Sequence, residues 1–128
     1  MADVNINGVT LQLDLLDADV VEKFEGLMDK YRADINSPDE GLSNADQMRR
    51  QIRLTDQLFD DVFGDGSAAR IFEGVKPGNL MARLNAVADL STIHASSEKE
   101  IRKIQERVQN GQYSQRLNRQ QRRHRNKH

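Results

Sequence analysis

The chain has no cysteine, no tryptophan and only two prolines, and aromatic residues make up 5% of it. Without cysteine it can form no disulfide, thiolate nucleophile or cysteine-ligated metal site, which suits a reducing compartment. With so few aromatics the core must be built from Leu, Ile, Val, Met and four Phe. Long apolar runs are also missing: Asp3, Asp14, Asp17 and Asp19 interrupt the start of the chain, where a signal peptide or membrane span would need an unbroken stretch. The expectation is a soluble protein that stays where it is made. Its 128 residues fit one domain, able to bury roughly two thirds of its unfolded surface.

Charge is plentiful but unevenly placed. From Gln112 onward there are six basic residues (Arg116, Arg119, Arg122, Arg123, Arg125 and Lys127) and no acidic one. Taking these six from the total of -1 leaves -7 on residues 1–111. The sequence therefore describes an acidic body with a basic tail.

The opening, Val4 to Leu13, alternates apolar and polar on both sides of Asn7-Gly8. Asn-Gly is the preferred pair for a type I′ turn, in which both central residues need positive φ. A β-hairpin follows, with Val4, Ile6, Val9, Leu11 and Leu13 on one face. A lone hairpin is barely stable in water, so that face must pack on helices or another chain. Asp17 is placed to cap a helix in which Val20, Val21, Phe24, Leu27, Met28, Tyr31 and Ile35 form one apolar stripe. Pro38 and Gly41 mark a loop, and Ser43 with Asp46 opens a second helix. Its apolar face is Met48, Ile52, Thr55, Leu58, Phe59, Val62 and Phe63, and Gly64 stands where a C-terminal cap belongs. Ser67 can cap a short helix through Ile71 and Phe72. A last helical pattern starts near Asn79, runs through Leu80, Met81, Leu84, Val87 and Leu90, and either breaks at Ser96-Ser97 or continues through Ile101, Ile104 and Val108 to Gly111. The expected fold is mainly α: a small domain of three to four helices preceded by an N-terminal β-hairpin, over residues 1–111. Residues 112–128 form a basic tail with almost nothing to bury, disordered or conditionally helical.

No motif in the chain reads as a catalytic or cofactor site. Gly64-Asp65-Gly66-Ser67-Ala68-Ala69 matches the spacing of a dinucleotide fingerprint but follows a helix, whereas that loop must follow a strand. A calcium loop begun at Asp61 would place Phe63 at a ligand position and Phe72 where a bidentate Glu belongs. His94 has no Cys or second His nearby in sequence, so a surface or partly packed histidine is the plainer reading. Asp60 and Asp61 point to different sides of their helix and read as a solvated face. Met28, Met48 and Met81 read first as core filler, with an adaptable surface for a partner helix as the functional alternative. The expectation is a protein that is not an enzyme and carries no cofactor or metal, and that works by binding other proteins.

The tail could engage nucleic acid. Six charges reach at most about six phosphates, for a log-log salt slope of about -4 on single strands. The acidic body would repel the same phosphates, and only Tyr113 is available for stacking, so nucleic acid is not the favoured partner.

Four segments carry a resemblance: LDADVVEKFE (16–25), NADQMRRQ (44–51), FDDVFGDG (59–66) and NRQQRR (118–123). In this order after a short hairpin, they resemble small proteins of the tail modules of long-tailed bacteriophages and prophages, and in particular tail assembly chaperones. The resemblance implies that the chain coats the long helical tape measure protein and keeps it soluble until tail tube subunits assemble. The major tail protein is a second implied partner, self-association is compatible, no membrane is involved, and the location is the cytoplasm of an infected or lysogenic bacterial host. A client of that kind calls for an apolar groove rimmed by charge. Phe59, Phe63, Ile71, Phe72, Leu80 and Met81 surround the turn-rich centre and are candidates to line one, with Arg116, Arg119, Arg122 and Arg123 as a second contact. The plainer reading of the six apolar residues is the core of one helical domain. Two other classes stay open: an oligomeric structural component of the virion, in which the hairpin edge pairs between subunits, and a nucleic-acid-binding accessory protein using the Arg-rich tail.

Overall fold

The computed structural model describes the backbone of residues 3–37 and 39–126, and the side chains of the same residues up to 111. The elements are β1 (Asp3–Ile6), β2 (Val9–Gln12), α1 (Ala18–Ile35), α2 (Asn44–Phe63), α3 (Ser67–Ile71) and α4 (Leu80–Asn126). By compactness the chain divides into two units, Met1–His94 and Ala95–His128, and the division falls within α4.

In the first unit, β1 and β2 pair antiparallel with Ile6 opposite Val9 and Val4 opposite Leu11. That register leaves two residues for the turn, and Asn7 (φ 52°) with Gly8 (φ 77°) both take the left-handed region that a type I′ turn requires. The pairing puts Ile6, Leu11 and Leu13 on one face, all buried, with Val4 and Val9 half-buried beside them. A two-stranded ribbon needs such a partner surface. A polar tie fixes it in place: the Asn7 side-chain amide donates to the Ile71 carbonyl at 2.7 Å.

Local capping sets the helix boundaries. Asp17 accepts from the backbone N–H groups of Asp19 and Val20 at the start of α1. Ser43 accepts from Asp46 N–H at the start of α2. Gly64 (φ 110°) ends α2, and its N–H donates to the Asp60 carbonyl. At α3 the capping differs from the sequence expectation. Ser67 lies inside the helix and makes no side-chain cap; instead Asp60, one turn before the end of α2, accepts from Ala68 N–H at 2.9 Å. Asp60 is therefore an anchor for the next helix and not simply part of a solvated face. Asn79 caps α4 by accepting from Ala82 N–H.

The core joins all these elements. Phe24, Met28 and Tyr31 of α1 meet Leu58 and Phe59 of α2, Ala68 and Ile71 of α3, Phe72, and Ala86 and Leu90 of α4, closed by Ile6, Leu11, Leu13 and Leu15. Phe59 stacks on Phe63 and meets Phe72 edge-on, at centroid distances of 6.2 and 5.7 Å. Two methionines depart from expectation: Met48 and Met81 stand exposed, and only Met28 of the three is core.

Two buried polar side chains of the first unit, Thr55 and Arg83, are paired. Thr55 is fully buried; its hydroxyl donates to the Gln51 carbonyl at 2.8 Å and lies 2.8 Å from the Tyr31 hydroxyl. Since a threonine hydroxyl has one proton, Tyr31 is the donor in that contact. Arg83 is 5% exposed. It donates to the carbonyls of Lys76 and Asn79 and to Asp56, and its guanidinium lies 4.7 Å from the Phe72 ring centroid.

The second unit is helix throughout its described backbone, which reaches Asn126. No helix among the described residues is long and apolar enough to cross a membrane.

Candidate functional site

The sequence-derived partner candidates separate into three groups. Phe59, Ile71 and Phe72 are core residues, at 0%, 1% and 6% exposure. At that exposure they belong to the hydrophobic core, where enclosing three large side chains brings the hydrophobic gain. Phe63 and Leu80 are half-buried, and Met81 is exposed. Arg116, Arg119, Arg122 and Arg123 have side chains outside the described residues, so the proposed second contact lies there too.

A surface opening lies elsewhere, where the end of β2, α1 and the C-terminal part of α2 converge. It is a groove of about 250 Å³ lined by Gln12, Leu13, Asp14, Val20, Lys23, Phe24, Leu27 and Val62. Leu13 and Phe24 form its buried floor, and Val20, Leu27 and Val62 are half-buried on its sides. A smaller depression of about 80 Å³ shares Leu27 and continues between α1 and α2 past Lys30, Tyr31, Asp34, Leu54, Gln57, Leu58 and Asp61. The two share Leu27 and follow the α1–α2 seam as a pair, the α1–α2 channel.

The helical period explains why this channel stays open. On α1, residues 20, 27 and 34 stack on one line, flanked by 23 and 30 two turns apart. That line sits at the edge of the buried stripe formed by Phe24, Met28 and Tyr31. Its apolar members are therefore only half covered by α2. The lysines at positions 23 and 30 rim the α1 side; Gln57 and Asp61 rim the α2 side, with Asp14 at the hairpin end. No ion pair among the described residues uses Lys23 or Lys30. The sequence signal for this site was the apolar stripe itself. It is wider than a two-helix contact needs, running from Val20 through Ile35 with Leu27 between, but a stripe does not state which members a neighbour will cover.

The titratable chemistry of the unit is muted. Tyr31 is held above the ordinary tyrosine range by burial, which disfavours the phenolate. His94 is half-buried, with its ring 5.0 Å from that of Phe24. The Gly64-Asp65-Gly66 segment is a turn following α2, with positive φ at both glycines. The element leading into it is α2 and not a strand, so it lacks the setting of a dinucleotide-binding loop.

A family model matches residues 7–126, nearly the whole chain, and it describes a family of unknown function, DUF6673. The chain belongs to this family. The match runs from the hairpin turn through β2 to the end of α4. No curated protein and no solved structure matched the chain.

Proposed function

We propose that this DUF6673 protein is a non-catalytic binding protein that holds an apolar helical segment of a client in the α1–α2 channel. The client is the tape measure protein of a phage tail, which the chain keeps soluble in the host cytoplasm before the tail assembles. The observation that carries the binding role is the open channel, with an apolar floor and charged rims. A groove between two helices with apolar side chains exposed at helical spacing suits an amphipathic helix presenting anchors at i, i+3, i+4 and i+7. The rims specify the flanks of that helix: carboxylates toward Lys23 and Lys30, basic or amide groups toward Asp61 and Asp14. The choice of client rests on the resemblance of the chain to tail assembly chaperones; the family match is silent on function.

The test is co-expression with the tape measure protein encoded nearby, scoring soluble co-purification. The intact chain should bring the client into the soluble fraction. Leu27→Glu, which places a charge on the channel wall, should lose the complex while keeping the far-ultraviolet circular dichroism of the parent. Deleting residues 112–128 reports the contribution of the basic segment. A client that stays insoluble while the chain elutes alone would end this reading.

A further inference from the structure

The second unit, taken by itself, carries a surface that the proposed client does not use. Between Glu98 and Asn110 the only apolar residues are Ile101, Ile104 and Val108, and every other position is charged or an amide. Steps of three and four place the three on one stripe of the helix. Ile104 is 42% and Val108 59% exposed, and Ile101 is half-buried. In heptad terms Ile101 and Val108 occupy one seam position and Ile104 the other.

We propose that this stripe is the contact surface for a second copy of the chain, with the two helices antiparallel. The charges beside the stripe decide both the partner and the direction. Glu100 and Arg107 stand one heptad apart on the same edge of the seam. Reversing the second helix brings like edge against like edge. With Ile101 of each copy opposite Ile104 of the other, Glu100 of each copy then faces Arg107 of the other, twice over by the two-fold axis. The edge is thus complementary to itself. A parallel pair gives no such match: Glu100 would face the neutral Gln105 of the second copy. It would also set two 112–128 segments side by side, each with six Arg and Lys residues and no Asp or Glu. Repulsion between them penalises the parallel arrangement, whereas the antiparallel one separates them to opposite ends.

The contact is isologous, so it closes at a dimer and does not propagate. The seam is short, two Ile–Ile layers flanked by Val108 opposite Ser97, so association is weak and depends on concentration. The exposed ion pairs set the direction more than the strength.

The experiment uses the full chain in sedimentation velocity over about a hundredfold range of concentration, where mass action shifts a weak dimer from largely apart to largely paired. Ile104→Glu should remain monomeric throughout; its position is exposed, and circular dichroism should show the helix retained. Glu100→Arg alone should weaken the dimer about tenfold, because two exposed pairs turn from attractive to repulsive. The double variant Glu100→Arg/Arg107→Glu should restore it. Direction is read separately, since the chain has no cysteine of its own. An oxidised mixture of Ile101→Cys and Ile104→Cys chains should give the mixed 101–104 disulfide. A parent that stays monomeric across the range, a double variant no better than the single one, or same-site disulfides in the mixture would each overturn the proposal. The dimer test needs no client, so its outcome is independent of the channel reading.

Discussion

Arg83 is the residue whose removal should most damage the first unit without touching its apolar core. Its side chain is 7% exposed, whereas that of its carboxylate partner Asp56 is 36% exposed and partly solvated. The guanidinium gives two hydrogen bonds to backbone carbonyls, at 2.9 Å to Lys76 and 3.2 Å to Asn79, and one to Asp56 at 3.3 Å. These bonds hold the turn before α4 against α2, with the Phe72 ring beneath the charge. Arg83→Met keeps the length and packing of the stem but removes every donor. Charge-assisted bonds to carbonyls contribute about 1.5 kcal/mol each, offset in part because water can reach the freed groups, so a loss of about 2–3 kcal/mol is expected. Asp56→Ala should lose less than about 1 kcal/mol, because that half of the pair is screened by solvent. In urea unfolding, with a slope of roughly 2 kcal/mol per M for a domain of this size, Arg83→Met should lower the midpoint by about 1–1.5 M. The reasoning fails if Arg83→Met unfolds within about 0.3 M of the parent, or if Asp56→Ala costs as much as Arg83→Met. The second result would mean that the ion pair, and not the carbonyl bonds, holds the turn.

Two further perturbations test the polar ties of the same unit. Asn7→Gly keeps the left-handed turn but deletes the amide that donates to Ile71, so thermal unfolding should show a loss of about 1 kcal/mol; Asn7→Val should lose more, since a β-branched residue is strained at φ 52°. An Asn7→Gly chain as stable as the parent would show that the tie contributes nothing. Tyr31 favours its protonated form in the folded chain, so the folded state holds that proton after the unfolded state has released it. Its contribution is intact below the unfolded value near about 10 and is lost as pH rises above it. Tyr31→Phe should remove this alkaline loss at the cost of one hydrogen bond, about 1 kcal/mol, at neutral pH. Parallel stability curves for parent and variant between neutral and strongly alkaline pH would refute the assignment.

Much of this fold was legible in the sequence because its signals are local. Asn7-Gly8 sets the hairpin turn by backbone sterics alone, and Asp17, Ser43 and Gly64 mark helix ends through hydrogen bonds to residues within one turn. The apolar stripes of α1 and α2 follow from helical periodicity, which needs no knowledge of a partner. Tertiary structure decided everything that depends on which neighbour covers a stripe. Phe59, Ile71 and Phe72 could have faced a client, and became core because the hairpin, α1 and α4 close over them. Leu27 and Val62 belong to the same kind of stripe, but are only half covered by their neighbours, so they line the channel. Asp60 reaching Ala68, Asn7 reaching Ile71 and Arg83 reaching Asp56 join residues 8, 64 and 27 positions apart. Periodicity and capping rules describe a chain's own helix, and the choice between core, groove and tie is made only when helices meet.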